Sequence, residues 1–281
     1  TNYKIILEDG TKIDETLVIL YQVDARYVEG GTPGEMYKIT EVNAGVYWHN
    51  KYYETAKGYI LPNVETIIYP NTVKIVEGNN YSTGVYPIGS DIKKIVLSQN
   101  LEIIGEKSFL GCYNLTDIVI SEGVTSIGDE AFYGCSSLTN ITIPESVIGI
   151  GQSTFRDCSS LTSITIPDSV TSIGDSTFYD CNSLTNITIP DSVTSIGESA
   201  FSDCSSLTSI TIPESVTSIG ICAFYGCSSL TSITIPDSVT SIGERAFFGC
   251  SGLTNINVDI NNQYYDSRNN CNAIIEKSTN T

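Results

Sequence analysis

The stretch from Cys158 to Asp180 reads CSSLTSITIPDSVTSIGDSTFYD, and close variants of it recur along the chain every 23 residues. Each copy begins with a cysteine, carries a leucine three residues later, and follows a phenylalanine placed three residues before that cysteine. The cysteines are Cys112, Cys135, Cys158, Cys181, Cys204, Cys227 and Cys250; the leucines are Leu115, Leu138, Leu161, Leu184, Leu207, Leu230 and Leu253; the phenylalanines are Phe109, Phe132, Phe155, Phe178, Phe201, Phe224 and Phe247. Such a period indicates identical units stacked along one axis.

One unit contains the signals of a short strand followed by turns. Residues 163–166 alternate polar and apolar, the pattern of a strand with one buried face. Pro167 ends this strand because proline lacks the N–H that a sheet ladder needs. Gly174 suits a corner with positive φ, and residues 175–176 are expected to cap a short 3₁₀ turn that carries Phe178 inward.

The apolar positions of one unit are too few to fold it alone. About eight inward side chains contribute roughly 12–24 kcal/mol of gross burial free energy. Ordering the backbone costs roughly 1–2 kcal/mol per residue, so the unit becomes stable only against its neighbours. The fold class predicted is a β-rich repeat solenoid: a right-handed leucine-rich-repeat superhelix with a parallel concave sheet and short 3₁₀ or irregular convex turns.

The chain divides by how regular the repeat is. Residues 1–38 are interpreted as an N-terminal cap with hairpin-like strands, and residues 39–111 as degenerate repeats with insertions. Residues 112–258 hold the regular 23-residue repeats, and residues 259–281 form an irregular C-terminal segment. One elongated domain is predicted.

The regular unit resembles the BspA-like, or Treponema-type, leucine-rich repeat of bacterial surface proteins, strongly over residues 64–258 and weakly over 39–63. The segment around Tyr264 and Tyr265 resembles a longer variant unit of that family. The resemblance implies a bacterial protein that is secreted or displayed at the cell surface, in some members an adhesin. It carries over no catalytic residues and no cofactor.

The chain is strongly acidic, and its negative charge excludes nucleic acid and anionic membranes as partners. The formal net charge is −18, and residues 112–253 contain 15 acidic residues against only Arg156 and Arg245. Such a surface repels nucleic acid and anionic membranes. No run of about 18 apolar residues exists, so direct membrane insertion by this chain is not predicted.

The repeated cysteines are predicted to be buried thiols. Seven of them form one inward column with neighbours about 4.8 Å apart, and parallel neighbours do not supply the converging geometry that a disulfide needs. Cys222 and Cys271 lie outside this column.

The concave face of the predicted sheet is the first candidate binding surface. Counting each repeat cysteine as position 0, this face is formed by positions 5 and 7. The residues are Asn140, Thr142, Ser163, Thr165, Asn186, Thr188, Ser209, Thr211, Ser232 and Thr234, followed by Asn255 and Asn257. Solenoids often bind partners on this face. The alternative is that these columns form hydroxyl ladders that stabilise the sheet.

Position 21 is a second candidate surface, a strip on the convex side that carries Tyr133, Tyr179, Tyr225 and Phe248, with Arg156 and Ser202 interleaved. We expect these side chains to be exposed, and aromatic residues are common at interface hot spots. Packing over adjacent coils is the alternative.

Acidic columns follow positions 10 and 17. They are interpreted as solvated surface, with Ca²⁺ bridging or a basic partner as the alternatives. No metal site is assigned.

The third candidate surface is an aromatic insertion before the regular repeats. It contains Tyr47, Trp48, His49, Tyr52 and Tyr53, including the only tryptophan and the only histidine of the chain. A protein or glycan site is one interpretation, and a cap over the first coil is the other.

Catalysis is not predicted. The single histidine lies far along the axis from most cysteines, and no phosphate loop, zinc motif or nucleophile elbow occurs. The function predicted is protein–protein binding or adhesion to a host or bacterial surface protein, without a cofactor. A glycan-binding module and a passive spacer are the alternatives, and the oligomeric state stays open.

Overall fold

The computed structural model describes residues 92–267 and 273–278 in full; before residue 92 it describes the backbone of eight short strands and the side chains of Ile75 and Val76. The early strands are β1 (Ile5–Ile6), β2 (Lys12–Ile13), β3 (Thr16–Val18), β4 (Gln22–Asp24), β5 (Met36–Lys38), β6 (Glu41–Ala44), β7 (Thr66–Ile68) and β8 (Ile75–Gly78). The later strands are β9 (Lys94–Val96), β10 (Ile103–Ile104), β11 (Asp117–Val119), β12 (Ser126–Ile127), β13 (Asn140–Thr142), β14 (Gly149–Ile150), β15 (Ser163–Thr165), β16 (Ser172–Ile173), β17 (Asn186–Thr188), β18 (Ser195–Ile196), β19 (Ser209–Thr211), β20 (Ser218–Ile219), β21 (Ser232–Ile235), β22 (Ser241–Ile242), β23 (Asn255–Val258), β24 (Tyr265–Asp266) and β25 (Ile275–Glu276). These described residues contain no α-helix.

The first strand of each unit pairs in parallel with the same strand one unit away. The register joins Ile141 to Ile164 and Ile187 to Ile210, so equal positions face each other. The strand order is β3-β7-β9-β11, then β13-β15-β17-β19, then β21-β23, and β11 lies beside β13 as β19 lies beside β21. A slip of one residue would turn every isoleucine outward, and burial therefore fixes this register. The predicted parallel solenoid is confirmed.

A second, shorter parallel ladder follows the turn after each first strand. Its strand order is β6-β8-β10-β12-β14 and then β16-β18-β20-β22, with β14 beside β16. Three antiparallel pairs, β1–β2, β4–β5 and β24–β25, are separate from the two parallel ladders. Strand β3, within the predicted cap, pairs in parallel with β7 and so belongs to the first ladder. The domain boundaries proposed from the sequence stay predictions.

The convex side of each unit forms a third ladder that the sequence did not predict. The N–H groups of Ser199, Phe201 and Asp203 donate to carbonyl oxygens 22 residues later, at 2.7–2.8 Å. The same alternating pattern joins each pair of successive units from Lys107 to Phe248. Neighbouring units are therefore held together by three ladders: that of the first strands, that of the second strands, and that of the convex segments.

The backbone conformation of this convex segment differs from the expected 3₁₀ turn. In each unit the residues at positions 18 and 22 are left-handed: Ser176 has a φ of 54° and Asp180 a φ of 58°. Gly174, predicted to need a positive φ, is not among the positive-φ glycines. Its equivalent Gly220 is required for another reason, because an added Cβ would lie 2.5 Å from the carbonyl of Gly197 in the preceding coil. Glycine at Gly220 thus permits close approach of two backbones, whereas a Cβ at Gly174 would make only ordinary contact, its nearest neighbour being Thr177 Oγ1 at 3.4 Å.

The core is a set of columns that run along the solenoid axis. The side chains of Leu161, Phe178 and Cys181 are fully buried, as the repeat pattern predicted. Consecutive phenylalanine rings stack with centroids 5.3–5.6 Å apart from Phe132 to Phe247, and the Phe109 ring lies 5.2 Å from that of Phe132 at an angle of 33°. A linear core of this kind gives each inner ring a neighbour on both sides along the axis.

Candidate functional site: the concave face

The structure brings the predicted concave-face residues together as two parallel columns. Each first strand buries its central isoleucine and exposes the residue on either side, and the register aligns Asn140 with Ser163 and Thr142 with Thr165. Equal positions in neighbouring strands lie about 4.8 Å apart, and positions two residues apart along a strand about 6.6 Å. The result is a regular grid of small polar groups facing solvent.

The hydroxyl groups of this grid make no hydrogen bond to any residue that the structure describes. This holds for Thr142, Ser163, Thr165, Thr188, Ser209, Thr211, Ser232 and Thr234. Two of the asparagines differ, since Asn140 Nδ2 donates to Thr139 Oγ1 at 3.3 Å and Asn186 Nδ2 to Thr185 Oγ1 at 3.2 Å. The hydroxyls of the grid are available to donate to and accept from a ligand.

The hydroxyl ladder offered as the alternative for these columns lies one position earlier in the repeat. Thr162 Oγ1 donates to the carbonyl of Thr139 at 3.1 Å, and Thr208 Oγ1 to that of Thr185 at 3.2 Å. The turn serines act in the same way, as Ser192 Oγ donates to the Val170 carbonyl at 2.6 Å. The stabilising role predicted for the grid is thus carried by flanking residues.

The concave face extends further toward the N-terminus than the sequence predicted, and it becomes apolar there. Val96 and Val119 occupy the position that threonine holds in later strands, face each other in register, and are 38% and 73% exposed. Exposed Lys94 and Asp117 are their neighbours on the same face. The sequence carried a signal for this apolar end, because Val119 lies at position 7 of its unit, where the later units have a polar residue.

The convex strip is more buried than expected. The guanidinium of Arg156 lies over the rings of Tyr133 and Tyr179, 5.6 and 4.3 Å from their centroids. The rings of Tyr225 and Phe248 stack at 5.5 Å. These contacts between coils support the packing alternative, and Phe248, at 61% exposure, is the most accessible of the five side chains.

Ser202, in the same strip, is buried, which corrects the expectation that the whole strip is exposed. Its Oγ donates to the neighbouring Asp203 carboxylate at 3.2 Å.

The hydroxyl of Tyr179, in the same strip, has a raised pKa. Burial raises this pKa, and the nearby Asp180 and Asp203 carboxylates raise it further.

The cysteine column has the properties of a packing element. Burial raises the pKa of the Cys158 and Cys204 thiols far above the ordinary value, so they do not supply the thiolate that nucleophilic chemistry needs. The described cysteines are free thiols, and Cys222 is half-buried outside the column. Cys271 lies outside the described residues.

The carboxylates at position 17 have structural partners. Asp129 Oδ1 accepts the N–H of Gln152 and Asp175 Oδ1 that of Glu198, both at 2.8 Å.

Within the fully described part of the chain, no group of three His, Cys, Asp or Glu side chains is arranged to hold a metal ion. The same part contains no helix of the length and apolarity that crossing a membrane requires.

The third candidate surface is the aromatic insertion. Tyr47, Trp48, His49, Tyr52 and Tyr53 lie outside the described residues, and both interpretations of this segment stay predictions.

Parallel strands repeated every 23 residues around aligned Leu, Cys and Phe columns define a leucine-rich-repeat solenoid. The sequence pattern described as "BspA type Leucine rich repeat region" matches in six copies over residues 86–207 and 171–279, more than half of the chain. The chain belongs to this BspA-type leucine-rich-repeat family.

Solved structures show the same fold. A leucine-rich repeat protein from Bacteroides ovatus is 25% identical with a TM-score of 0.65, over 92% of this chain and 69% of that one. The Treponema pallidum leucine-rich repeat protein is 21% identical with a TM-score of 0.51, over 73% of this chain and 87% of that one. No curated protein matches the chain significantly.

Proposed function

We propose that this chain is a non-enzymatic binding scaffold of the bacterial surface whose concave face binds a protein partner. Proteins of this repeat family are in general scaffolds of surface type. The observation that carries the proposal is the grid of exposed hydroxyls without partners, which adjoins the exposed valines of β9 and β11.

The two parts of the face have complementary roles. Burial of an exposed apolar side chain such as Val119 against a partner lowers the free energy of the complex. The valine pair therefore supplies an apolar anchor. The hydroxyl columns accept and donate hydrogen bonds along an extended partner segment, and they give register and specificity more than affinity. A partner that lies along the axis contacts both.

Substitution on this face tests the proposal against a matched control. Val119→Thr installs the residue that later strands carry at this position, and Thr165→Lys places a long side chain in the middle of the grid. Ile148→Thr is the control, since Ile148 is 67% exposed and is not part of a first strand. Binding is measured on a panel of immobilised extracellular matrix proteins, with a glycan array in parallel.

We expect the two concave-face variants to weaken protein binding by about tenfold, the usual effect of losing one interface anchor, and the control to bind like wild type. Unchanged protein binding in both concave-face variants would refute the assignment of this face. Binding to glycans alone would favour the glycan-binding module, and no binding on either panel would favour the spacer.

A further inference from the structure

The second ladder is interrupted in the middle of the solenoid, between the unit 135–157 and the unit 158–180. In the next unit the N–H of Thr194 donates to the carbonyl of Thr171, at the same position one unit earlier, at 2.9 Å. The N–H of Thr171 has no acceptor among the described residues, and no ladder pairing joins β14 to β16. These two strands therefore lie side by side without the ladder that joins β16 to β18.

The corner glycines show the same interruption. Gly197 donates its N–H to the carbonyl of Ile173 at 2.8 Å, whereas the N–H of Gly174 meets no acceptor in the fully described part of the chain. A Cβ added at Gly197 would lie 2.7 Å from the backbone N of Asp175 in the preceding coil. A Cβ added at Gly174 would lie 3.6 Å from the nearest atom of its preceding coil, the Cα of Gln152. The coils are therefore farther apart at the corner of Gly174.

The side chains beside this junction are more exposed than their equivalents. Ile150 is half-buried, although Ile127 and Ile196 at the same position of other units are buried. Ser172 is exposed, whereas Ser195 is half-buried. Solvent therefore reaches side chains of both facing strands, β14 and β16.

The sequence departs from the repeat at this place. Gly149, the first residue of β14, stands where the other regular units carry serine. Glycine loses more conformational entropy on ordering than any other residue and has no side chain to pack in a strand. The strand that fails to pair with the next unit is therefore also the one with the weakest tendency to be ordered.

A second interruption lies at the preceding junction, where the unit 135–157 follows the unit before it. Thr162 donates its N–H to the carbonyl of Thr139 at 3.0 Å. The N–H of Thr139 has no acceptor among the residues that the structure describes, and no ladder pairing joins β11 to β13. Strands β19 and β21 also belong to separate sheets, but they keep the equivalent bond from Thr231 to Thr208 at 3.3 Å.

Each interrupted junction is held by its two remaining ladders. At the later junction the first strands β13 and β15 pair over three residues, and at the earlier one the second strands β12 and β14 pair over two. The convex N–H groups donate to the next unit at both junctions, at 2.8–2.9 Å; the donors are Glu130, Phe132, Gly134, Ser153, Phe155 and Asp157. The unit 135–157 is thus held by two ladders at each junction, and the interrupted ladder differs between the two.

We infer that the unit 135–157 is a joint at which the solenoid bends. A junction with fewer hydrogen bonds between its coils opens at a lower free energy, so each junction opens on its interrupted side while the other two ladders stay closed. The earlier interruption lies between the strands of Val119 and Thr142, and bending there sets the angle between the valine pair and the hydroxyl grid. The joint is a property of the chain alone and is measured without a partner.

Amide hydrogen exchange of the full chain tests whether the ladders are interrupted in solution. The three amides of the interruptions are compared with the same positions one unit later: Thr139 with Thr162, Thr171 with Thr194, and Gly174 with Gly197. We expect the first member of each pair to exchange at least about tenfold faster, because it lacks the bond between coils that protects the second. Equal protection within the pairs would overturn the inference.

Reciprocal variants test whether Gly149 opens the later junction. Gly149→Ser installs the usual residue of the repeat, and Ser195→Gly moves the unusual one two units along. We expect Gly149→Ser to slow exchange of the Thr171 amide about tenfold, and Ser195→Gly to accelerate that of the Thr217 amide by a similar factor. Exchange that neither variant alters would overturn this origin of the joint.

Paired spin labels measure the bending itself. Exposed acidic residues at position 10 are replaced three coils apart, roughly 14 Å by the strand spacing. Glu122→Cys with Asp191→Cys spans the joint, and Asp168→Cys with Asp237→Cys does not. Both pairs carry Cys222→Ser, the residue of the three preceding units at this position, so that the half-buried thiol takes no label. We expect the distance distribution of the spanning pair to be wider by about 2–4 Å, a fraction of one strand spacing. Equal widths would overturn the inference.

Discussion

The thiol of Cys181 donates a hydrogen bond to the backbone carbonyl of Phe155, one coil earlier, at 3.2 Å. The same carbonyl accepts the N–H of Cys158 at 3.1 Å, so both of its lone pairs are used. Equivalent bonds recur along the column up to Cys250. A small side chain with one weak donor fits this position, which explains why cysteine occupies it without a partner cysteine.

Thiol labelling follows from this arrangement. In the native protein we expect a soluble alkylating reagent to modify half-buried Cys222 first and Cys250, at the end of the column, next. Cys181 should react only after unfolding, because burial raises its pKa and blocks access. Peptide mapping by mass spectrometry gives the rates, and labelling in urea is the control. Equal native rates at Cys222 and Cys181 would contradict the buried column.

Close backbone contact predicts opposite effects for two glycines. Gly220→Ala places a Cβ 2.5 Å from the Gly197 carbonyl, and we expect it to lower the free energy of unfolding by roughly 1–3 kcal/mol through overpacking. Gly149→Ala meets nothing within 4 Å and should be neutral or stabilising by about 0.4–1 kcal/mol. Urea unfolding followed by circular dichroism compares them. Similar losses at both positions would count against the packing explanation.

The charge of Asp180 is predicted to destabilise the fold. Burial raises the pKa of its carboxyl, and the Asp157 and Asp203 carboxylates raise it further. The folded protein therefore binds this proton more tightly than the unfolded chain does, and the cost of the charge decreases once the pH falls below the raised pKa and is gone below the ordinary pKa of the unfolded chain. Asp180→Asn should raise Tm at pH 7, with an advantage that shrinks toward pH about 4.

The pH dependence separates this effect from backbone strain. Asn also suits the left-handed conformation at φ 58°, but that contribution does not depend on pH. A difference in Tm between Asp180→Asn and wild type that stays constant from pH 4 to pH 8 would therefore rule out the electrostatic cause.

The phenylalanine column predicts a gradient of stability along the solenoid. Phe178 is fully buried between two rings, at 5.6 and 5.3 Å, and Phe178→Ala should cost about 3–5 kcal/mol. Among the described residues Phe247 has a neighbouring ring on one side only, and it is half-buried, so Phe247→Ala should cost clearly less. Scanning calorimetry measures both. Equal losses would mean that the end of the column is as well packed as its middle.

Much of this architecture could be predicted from the repeat alone. The spacing of Leu161, Ile164 and Phe178 fixed which side chains point inward, and all three are buried. The positive φ expected at Gly174 was wrong, and the contact that requires glycine at the equivalent Gly220 is made with Gly197, in another coil. The apolar end of the concave face at Val119 was missed, although this residue lies at position 7 after Cys112, because the concave columns were counted only from Asn140 onward.

The sequence by itself determined the length of each coil, the inward columns and the polar outer face, because these depend on side-chain periodicity within a single unit. Only the tertiary structure decided the convex ladder and the left-handed residues such as Ser176. These depend on hydrogen bonds between residues 22 positions apart, which form only when one coil stacks on the next.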